Sequence, residues 1–465
     1  MTALHELGAA ALARAYAARE CSPVEVVRAV LDRMAQCEPR LHATWAADAD
    51  AALAAARESE SRWLRGDALG PLDGVPVTIK ENIATRGVPL PLGTAATELV
   101  PAADDAPPAA RLREAGAVLV AKTTMPDYGM LSSGLSSFHA LTRNPWDLTK
   151  NPGGSSAGAA AAAAAGYGPL HLGTDIGGSI RLPADWCGVV GFKPSNGRVP
   201  IRPPYVGRVA GPITRSVEDA AIAMSVLARA DARDATSLPP QDLDWCAAGA
   251  DPHDTLRGLR IGLLLDAGWG LDCDAEIAAA VRDAAHRLEA AGARVEPLAP
   301  FTTRTMADGI NLFWRMRSWL DISALPAARR ERVLPYIREW VAAGARFSAA
   351  EVFHGYSQIA ALRDAAVAAC APFDFVISPV APVSAFAADW ASPTNDPLRA
   401  MEHIAYTLPY NMSEQPAISL PCAQGTTGLP IGLQIAGRRH DDLGVLRVAR
   451  AFERLRAPLP PWPRP

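Results

Sequence analysis

The sequence is poor in the features that mark several large classes of protein. Its seven cysteines are widely spaced and form no CxxC pair, which argues against a disulfide framework. It contains no HExxH motif and no cluster of histidines, so we expect no metal and no dissociable cofactor. No apolar run approaches the length of about 20 residues that a membrane-spanning helix needs. A net charge of −4 without any block of like charge indicates neither a nucleic acid nor a membrane as partner.

The beginning of the chain likewise lacks a signal-peptide pattern. Acidic residues occur early in residues 1–20, no basic region precedes an apolar stretch, and the apolar spacing predicts an amphipathic helix. Together with the unpaired cysteines this favours a reducing compartment, and we expect the protein in the cytoplasm. We expect a small-molecule substrate as its partner, and a homodimer is compatible with these features.

Lysine is nearly absent, since only four of the 45 basic residues are lysines, at positions 80, 122, 150 and 193. Nucleotide bias in a GC-rich genome explains the excess of arginine, and a structural role is the simpler explanation for any single lysine. Lysine differs from arginine in one chemical property, because it can lose its proton in a dry pocket. A lysine at the end of a buried strand is therefore a candidate base.

Strand and helix patterns alternate along most of the chain. Short apolar or β-branched runs predict strands over residues 75–80, 115–122, 166–174, 259–265, 293–298, 373–380 and 431–436. Helical spacing predicts helices over residues 23–34, 46–63, 216–228 and 276–291. The alternation indicates an α/β fold with α/β/α layers around a largely buried sheet.

Two glycine pairs each precede a serine within residues 151–198. They are Gly153-Gly154-Ser155 and Gly177-Gly178-Ser179. Glycine permits backbone conformations that are closed to other residues, and a serine after such a bend can lie where free N–H groups face a developing oxyanion. A single Gly-Gly-Ser is ordinary turn chemistry. Two of them, joined by a small-residue helix and accompanied by Lys80 at a strand end, are a stronger indication of catalysis.

The same stretch resembles the signature of a known family of amide-bond hydrolases, the amidase signature family. The motifs GGSS-G, GTD-GGSIR-PA and CG--G-KP--GR-P appear at residues 153–158, 173–184 and 187–200, and LDGVPVTIKEN at 72–82 supplies the upstream lysine. The resemblance covers most of residues 70–226 and 409–445. Two small departures from the family pattern, Glu81 and Ala157, remove no catalytic group.

This resemblance implies a fold and an organisation. We expect the amidase signature fold, with α/β/α layers around a large mixed central sheet, in a single domain over residues 1–465. A helical N-terminal part (1–70) precedes the signature core (70–226). A variable, substrate-shaping part (229–400) and a C-terminal part that returns to the core (401–465) follow.

The resemblance also implies roles for individual residues. It makes Ser179 the nucleophile, Ser155 the proton relay after a cis Gly154–Ser155 peptide, and Lys80 the base. The implied oxyanion hole consists of the main-chain N–H groups of Ile176, Gly177, Gly178 and Ser179. Supporting roles fall to Gly154, Asp175 and Arg181, the last two as an ion pair that braces the loop. Weak substrate contacts fall to Gly129, Met130 and Ser155.

These roles predict an amidohydrolase acting on linear amides. It would hydrolyse a non-peptide carboxylic amide to a carboxylate and ammonia or an amine through a seryl acyl-enzyme. A serine hydroxyl is a weak nucleophile until a base removes its proton. Lys80 must be neutral to begin that transfer, and desolvation favours the neutral form by lowering the pKa.

Three other interpretations start from the same residues. Residues 154–158 fit the G-x-S-x-G nucleophile elbow, with Ser156 as nucleophile, but residues 144–152 are rich in turns and no histidine lies in a suitable context. We expect Ser156 instead to cap the alanine-rich helix. Lys122 is a rival base, and we expect it to brace the turn at 123–129. A phosphate-binding loop would need GxxxxGK[ST], which the sequence lacks.

Two functions within the family fit these motifs. We expect a stand-alone amidase, because the glutamine-pocket pattern of the alternative is not recognisable in residues 300–360. That alternative is the amidase subunit of a glutamyl-tRNA amidotransferase, which releases ammonia from glutamine with partner subunits.

The best candidate for a pocket wall is residues 311–320, where Arg315 and Arg317 would favour a carboxylate-bearing or aromatic amide. The alternative there is a helix that buries Phe313, Trp314 and Leu320 and leaves both arginines in solvent.

Overall fold

One mixed sheet of eleven strands runs through the computed structural model, which describes residues 3–246 and 251–465. The strands are β1 Thr44–Trp45, β2 Pro76–Lys80, β3 Val118–Thr123, β4 Leu170–Asp175, β5 Val190–Lys193, β6 Val209–Thr214, β7 Arg260–Leu263, β8 Arg294–Pro297, β9 Phe375–Pro379, β10 Ala417–Gln424 and β11 Pro430–Gly437. Their order across the sheet is β1-β3-β2-β4-β6-β5-β10-β11-β9-β7-β8. Residues 1–2 and 247–250, which belong to the predicted N-terminal and variable parts, lie outside the described residues.

Helices cover both sides of this sheet. They are α1 Ala9–Ala18, α2 Pro23–Leu41, α3 Ala49–Arg65, α4 Pro107–Glu114, α5 Ala157–Ala165, α6 Arg181–Cys187, α7 Val217–Leu227, α8 Pro252–Leu256, α9 Ala275–Ala290, α10 Arg304–Ser323, α11 Ala327–Arg330, α12 Pro335–Ala342, α13 Ala349–Cys370, α14 Leu408–Met412 and α15 Asp442–Leu455. Two long helices begin with complete capping boxes, at Ser22 and Ser348, which satisfy N–H groups that a helix start leaves free. In the described ranges, no helix is long and apolar enough to span a membrane.

The predicted α/β/α fold around a large mixed sheet is confirmed. Each of the seven predicted strands overlaps an observed one, but the sequence patterns do not predict β1, β5, β6 and β10. The reason is visible in their sequences. β1 has only two residues, while β6 and β10 contain Pro212 and Pro421, which the pattern treats as strand breakers. Pro421 is tolerated beside a register shift in the pairing with β11. The single-domain organisation stays a prediction.

Parallel pairing at the centre of the sheet determines where the functional edge lies. β2 pairs in parallel with β3 on one side and with β4 on the other. All residues of β2 and β4 are buried. Because parallel strands end at the same edge, the residues that follow β2, β3 and β4 come together there.

Helix α5 is built almost entirely of alanine, and every one of its nine residues is buried. Its alanines contribute to two separate apolar clusters, one on each of two faces of the helix. The backbone approaches its neighbours so closely that a Cβ at Gly158 would overlap the carbonyl oxygen of Ala43. The small side chains therefore allow a complete helix to pack inside the core, directly after Ser155 and Ser156.

Candidate active site

The ends of two parallel strands bring the predicted catalytic residues to one edge of the sheet. β2 ends at Lys80, and the neighbouring β4 ends at Asp175. The loop that follows β4, residues 176–180, carries Ser179, and Ser155 lies just ahead of α5. The sequence motifs, which are separated by up to about a hundred residues, are thus adjacent in space because of the strand order.

Lys80 and Ser155 are in direct contact. The fully buried Lys80 side chain donates from Nζ to Ser155 Oγ over 2.8 Å. Ser155 and Ser179 both line one cavity. The N–H of Ser156 donates to the carbonyl of Ser179 over 3.1 Å, which ties the two serine-bearing loops together. The structure therefore brings the predicted base and relay into contact and places the predicted nucleophile on the wall of the same cavity.

Lys80 has the electrostatic environment that a lysine base requires. Burial lowers the pKa of Lys80 well below its ordinary value, and the positive charge of Arg208 lowers it further. The carboxylates of Asp175 and Glu81 oppose this shift without reversing it. A lysine with such a lowered pKa is neutral more of the time and can accept a proton from a contacting hydroxyl.

Ser156 lies at the N-cap position of α5, as predicted, but its side chain does not cap the helix. Its hydroxyl accepts from Lys80 Nζ over 3.0 Å and donates to the carbonyl of Thr174 over 3.2 Å. The residue is fully buried, and none of its hydrogen-bond partners is a histidine. This geometry gives no support to the nucleophile-elbow interpretation.

The peptide between Gly154 and Ser155 is cis, which confirms the expectation drawn from the family resemblance. Gly129 and Met130, the predicted weak substrate contacts, line the same cavity as Ser155. The backbone of Gly129 approaches Ser155 closely, since an added Cβ would lie 3.2 Å from Ser155 Oγ.

Asp175 and Arg181 form a fully buried ion pair, with 3.0 Å between Asp175 Oδ1 and Arg181 Nη2. Burial alone would raise the pKa of Asp175, but the charge and hydrogen bonds of Arg181 outweigh it and hold that pKa below its ordinary value. Arg181 also donates to the carbonyl of Thr407 and to the side chains of Asn411 and Gln434. The pair therefore fastens the nucleophile loop to the C-terminal part of the chain.

The predicted oxyanion hole needs one correction. The N–H of Gly178 donates to Asp175 Oδ1 over 2.7 Å, so it is not free to face a substrate. This bond belongs to the same bracing that fixes the loop, and sequence spacing alone gives no sign of it. In the part of the chain that the structure describes, the N–H groups of Ile176, Gly177 and Ser179 have no hydrogen-bond partner. Three of the four predicted donors thus remain available.

Lys122 does not contact the serines. Its Nζ donates to the carbonyl of Ile83 and to Thr85 Oγ1, each over 2.6 Å. It therefore fastens the loop that follows β2. The expectation that it braces the turn at 123–129 is wrong, because its side chain points across to the neighbouring strand end.

A cavity of about 770 Å³ opens beside Ser155 and Ser179. Most of its remaining wall comes from residues 82–106, 125–130 and 202–208. The variable part of the chain supplies Arg317 and Asp321, which are both largely exposed. Because Ser155 is only 4% exposed, we place the catalytic groups at the inner end of the cavity and Arg317 and Asp321 at its mouth.

The two predictions for residues 311–320 are each partly wrong. Arg317 and Asp321 lie four residues apart on α10 and share the face that borders the cavity. Arg315 lies on another face and donates from Nε to the carbonyl of Trp340 over 2.6 Å. Leu320 is 56% exposed, so the alternative of a helix that buries it is wrong as well.

Two cavity residues, Tyr205 and Arg208, are not predicted from the sequence. Arg208 Nη1 donates to the carbonyl of Pro203 over 2.9 Å. The guanidinium of Arg317 lies over the Tyr205 ring, 4.4 Å from its centre. The available signal is the position of this proline-rich turn, immediately ahead of the recognised motif that forms β6.

The fold, the strand-end lysine and the paired serine loops together define the class of the protein. Residues 25–446 match the family model described as Amidase, and the chain belongs to this family. It is an amidohydrolase that acts on the C–N bonds of amides.

Particular relatives narrow the comparison. The chain is 36% identical to a subunit of the glutamyl-tRNA(Gln) amidotransferase of Solidesulfovibrio magneticus, covering 100% of this chain and 99% of that protein. It is also 36% identical to the subunit of the same name from Myxococcus xanthus, covering 95% and 96%. Among solved structures, a bacterial aryl acylamidase of the amidase signature family is 30% identical with a TM-score of 0.89, covering 97% and 96%. The peptide amidase of Stenotrophomonas maltophilia is 27% identical with a TM-score of 0.84, covering 99% and 98%.

These relatives correct two predictions. The prediction of a stand-alone amidase is contradicted, because several full-length relatives bear the name of an amidotransferase subunit. The prediction of a small-molecule partner without nucleic acid is contradicted for the same reason, since that name refers to glutamyl-tRNA and to one subunit of a larger enzyme. Both functions use the same catalytic motifs, so the motifs that carry the predictions do not discriminate between them.

Proposed function

We propose that this chain is the amidase subunit of a glutamyl-tRNA amidotransferase and releases ammonia from glutamine in a complex with partner subunits. The observation that carries this proposal is the 36% identity to subunits of that name over essentially the full length of both chains. Such an enzyme works on charged tRNA, so the proposal also locates the protein in the cytoplasm.

The cavity offers polar groups that suit glutamine. Glutamine carries an α-carboxylate and an α-ammonium group beyond the amide that is hydrolysed. Arg317 and Asp321 at the cavity mouth, with 3.9 Å between Arg317 Nε and Asp321 Oδ2, provide one charge of each sign. Gly129 and Met130 would then border the acyl chain between the mouth and Ser179. Complementary charges of this kind favour a zwitterionic substrate over a wholly apolar one.

Catalysis begins with the transfer of two protons. Neutral Lys80 takes the proton of Ser155, and Ser155 takes the proton of Ser179, whose Oγ attacks the amide carbon. The 2.8 Å contact between Lys80 Nζ and Ser155 Oγ supports the first transfer. The carbonyl oxygen becomes negatively charged and faces the N–H groups of Ile176, Gly177 and Ser179. Each such donor typically contributes about 3 kcal/mol to transition-state stabilisation.

The same relay then runs in reverse. Lys80 returns a proton through Ser155 to the amide nitrogen, the C–N bond breaks, and ammonia leaves. The γ-carboxyl carbon of the substrate stays bound to Ser179 as an ester. Water attacks this ester, and glutamate is released with the serine restored.

The test is ammonia release from glutamine by the purified chain, alone and together with the partner subunits and glutamyl-tRNA. We expect turnover to depend on the complex and to disappear in Ser179→Ala. The matched control is Ser136→Ala, which changes a hydroxyl that donates to the carbonyl of Gly93, away from the serine loops. Efficient hydrolysis of simple aryl or aliphatic amides by the chain alone, with no turnover of glutamine in the complex, would contradict the proposal.

A further inference from the structure

We propose that Arg208 and Arg317 form an anion site in the active-site cavity, which selects amides whose acyl chain ends in a carboxylate. The inference deepens the proposed function and rests on it, since glutamine is one member of this class. Both side chains line the cavity that contains Ser155 and Ser179, so an anion held between them would belong to a substrate whose amide reaches the serines.

Arg208 lacks the partners that other buried arginines of this chain possess. Arg181 is bonded to Asp175 and three further groups, and Arg198 is paired with Asp442. The guanidinium of Arg208 makes one hydrogen bond, to the carbonyl of Pro203. Within residues 3–246 and 251–465, no carboxylate lies within ion-pair distance of it. Its remaining donors are therefore available to a ligand.

Arg317 provides the second cation. Its guanidinium is held over the Tyr205 ring, and the backbone of Arg208 donates to the carbonyl of the same residue over 2.9 Å. Its ion pair with Asp321 is long, at 3.9 Å, and its side chain is 44% exposed. Stacking fixes the plane of a guanidinium while leaving its edge free to bind a carboxylate.

The two cations repel each other in the absence of an anion. Burial, and then the charge of Arg317, lower the pKa of Arg208 to about 10. The neighbouring carboxylate in the cavity wall that could relieve this, Asp105, is already engaged by Arg113 and by the N–H of Arg86. A substrate carboxylate would supply the missing negative charge and bind with the geometry that arginine favours.

Direct binding tests the site without requiring turnover or partner subunits. The Ser179→Ala chain is titrated in a calorimeter with pentanedioic acid monoamide, which has the acyl skeleton of glutamine, and with the neutral pentanediamide. We expect the monoamide to bind roughly 10- to 100-fold more tightly, as for hydrogen bonds to a charged group. Adding Arg208→Gln should remove most of this preference, and Arg208→Lys should restore part of it. Arg315→Gln, a change on the same helix as Arg317 but outside the cavity, should retain it.

The preference for the carboxylate decides the outcome. Equal or undetectable binding of the two amides by the Ser179→Ala chain overturns the proposal, as does a preference that survives both Arg208→Gln and Arg317→Gln. The melting temperature of each variant shows whether a loss of binding reflects unfolding, and Arg317→Gln, a surface change, provides the second route if Arg208→Gln is unstable. A chain that retains the preference but hydrolyses no glutamine with partner subunits would contradict the proposed function and leave the anion site standing.

Discussion

Lys80 and Lys122 lie near the ends of neighbouring parallel strands and are both buried, yet their surroundings differ. Burial lowers the pKa of each, for Lys122 to about 7. Lys80 contacts two serine hydroxyls beside the cavity, whereas Lys122 contacts the carbonyl of Ile83 and a threonine hydroxyl in a loop. Burial therefore makes a lysine easier to deprotonate, but only a partner that leads to substrate turns it into a base.

The largest expected effect is on activity. Lys80→Met should lower kcat for ammonia release by a factor on the order of 10³, the usual contribution of a general base. Lys80→Arg should be as damaging, because arginine retains the charge but cannot take the proton. Lys122→Met should change kcat by less than about fivefold, since it touches none of the reacting groups. Substantial turnover by Lys80→Arg would break the distinction between the two lysines.

The order should reverse for stability. Lys122→Met leaves the buried carbonyl of Ile83 and the hydroxyl of Thr85 without their donor, and should lower the free energy of unfolding by about 1–3 kcal/mol. Lys80→Met should cost less, because Ser156 keeps its bonds to Thr174 and a desolvated amine is removed. Urea unfolding of both variants at one pH measures the difference. Equal losses would show that the two side chains contribute alike to the fold.

The smallest effect concerns the pH dependence of catalysis. Arg208 is a cation that acts on Lys80, while Asp175 and Glu81 are the carboxylates that oppose it. Lys80 is inactive when protonated, so kcat/KM rises with pH through its pKa. Arg208→Gln removes a charge that lowers this pKa, and the rising limb should move to higher pH.

The neutral pentanediamide is the substrate for this measurement, because it separates the effect on Lys80 from the binding of a carboxylate. Arg315→Gln serves as the control and should leave the limb in place. A limb that stays fixed or moves to lower pH in Arg208→Gln would show that Arg208 does not act on Lys80.

The sequence predicts the fold well where local pattern carries the information. Apolar runs identify the seven strands that contain no interior strand breaker by pattern, and the spacing of the motifs brings Lys80 and Ser155 to one place. Contacts that depend on tertiary geometry are missed. The bond from the Gly178 N–H to Asp175 and the position of Arg208 both depend on how loops fold back. The choice between two functions of one family escapes prediction for another reason, since the shared motifs encode the chemistry and not the partners.

Helix α5 imposes a constraint on how this enzyme can change. Its letters are the least varied in the chain, yet each methyl group has a neighbour on the far side, and a larger side chain would overpack the core at a typical cost of about 1–3 kcal/mol. Engineering for new substrates is therefore best confined to residues 202–208 and the exposed face of α10, where side chains border open space. A library that randomises residues 157–165 would mostly return unfolded chains, although by composition that segment looks the easiest to replace.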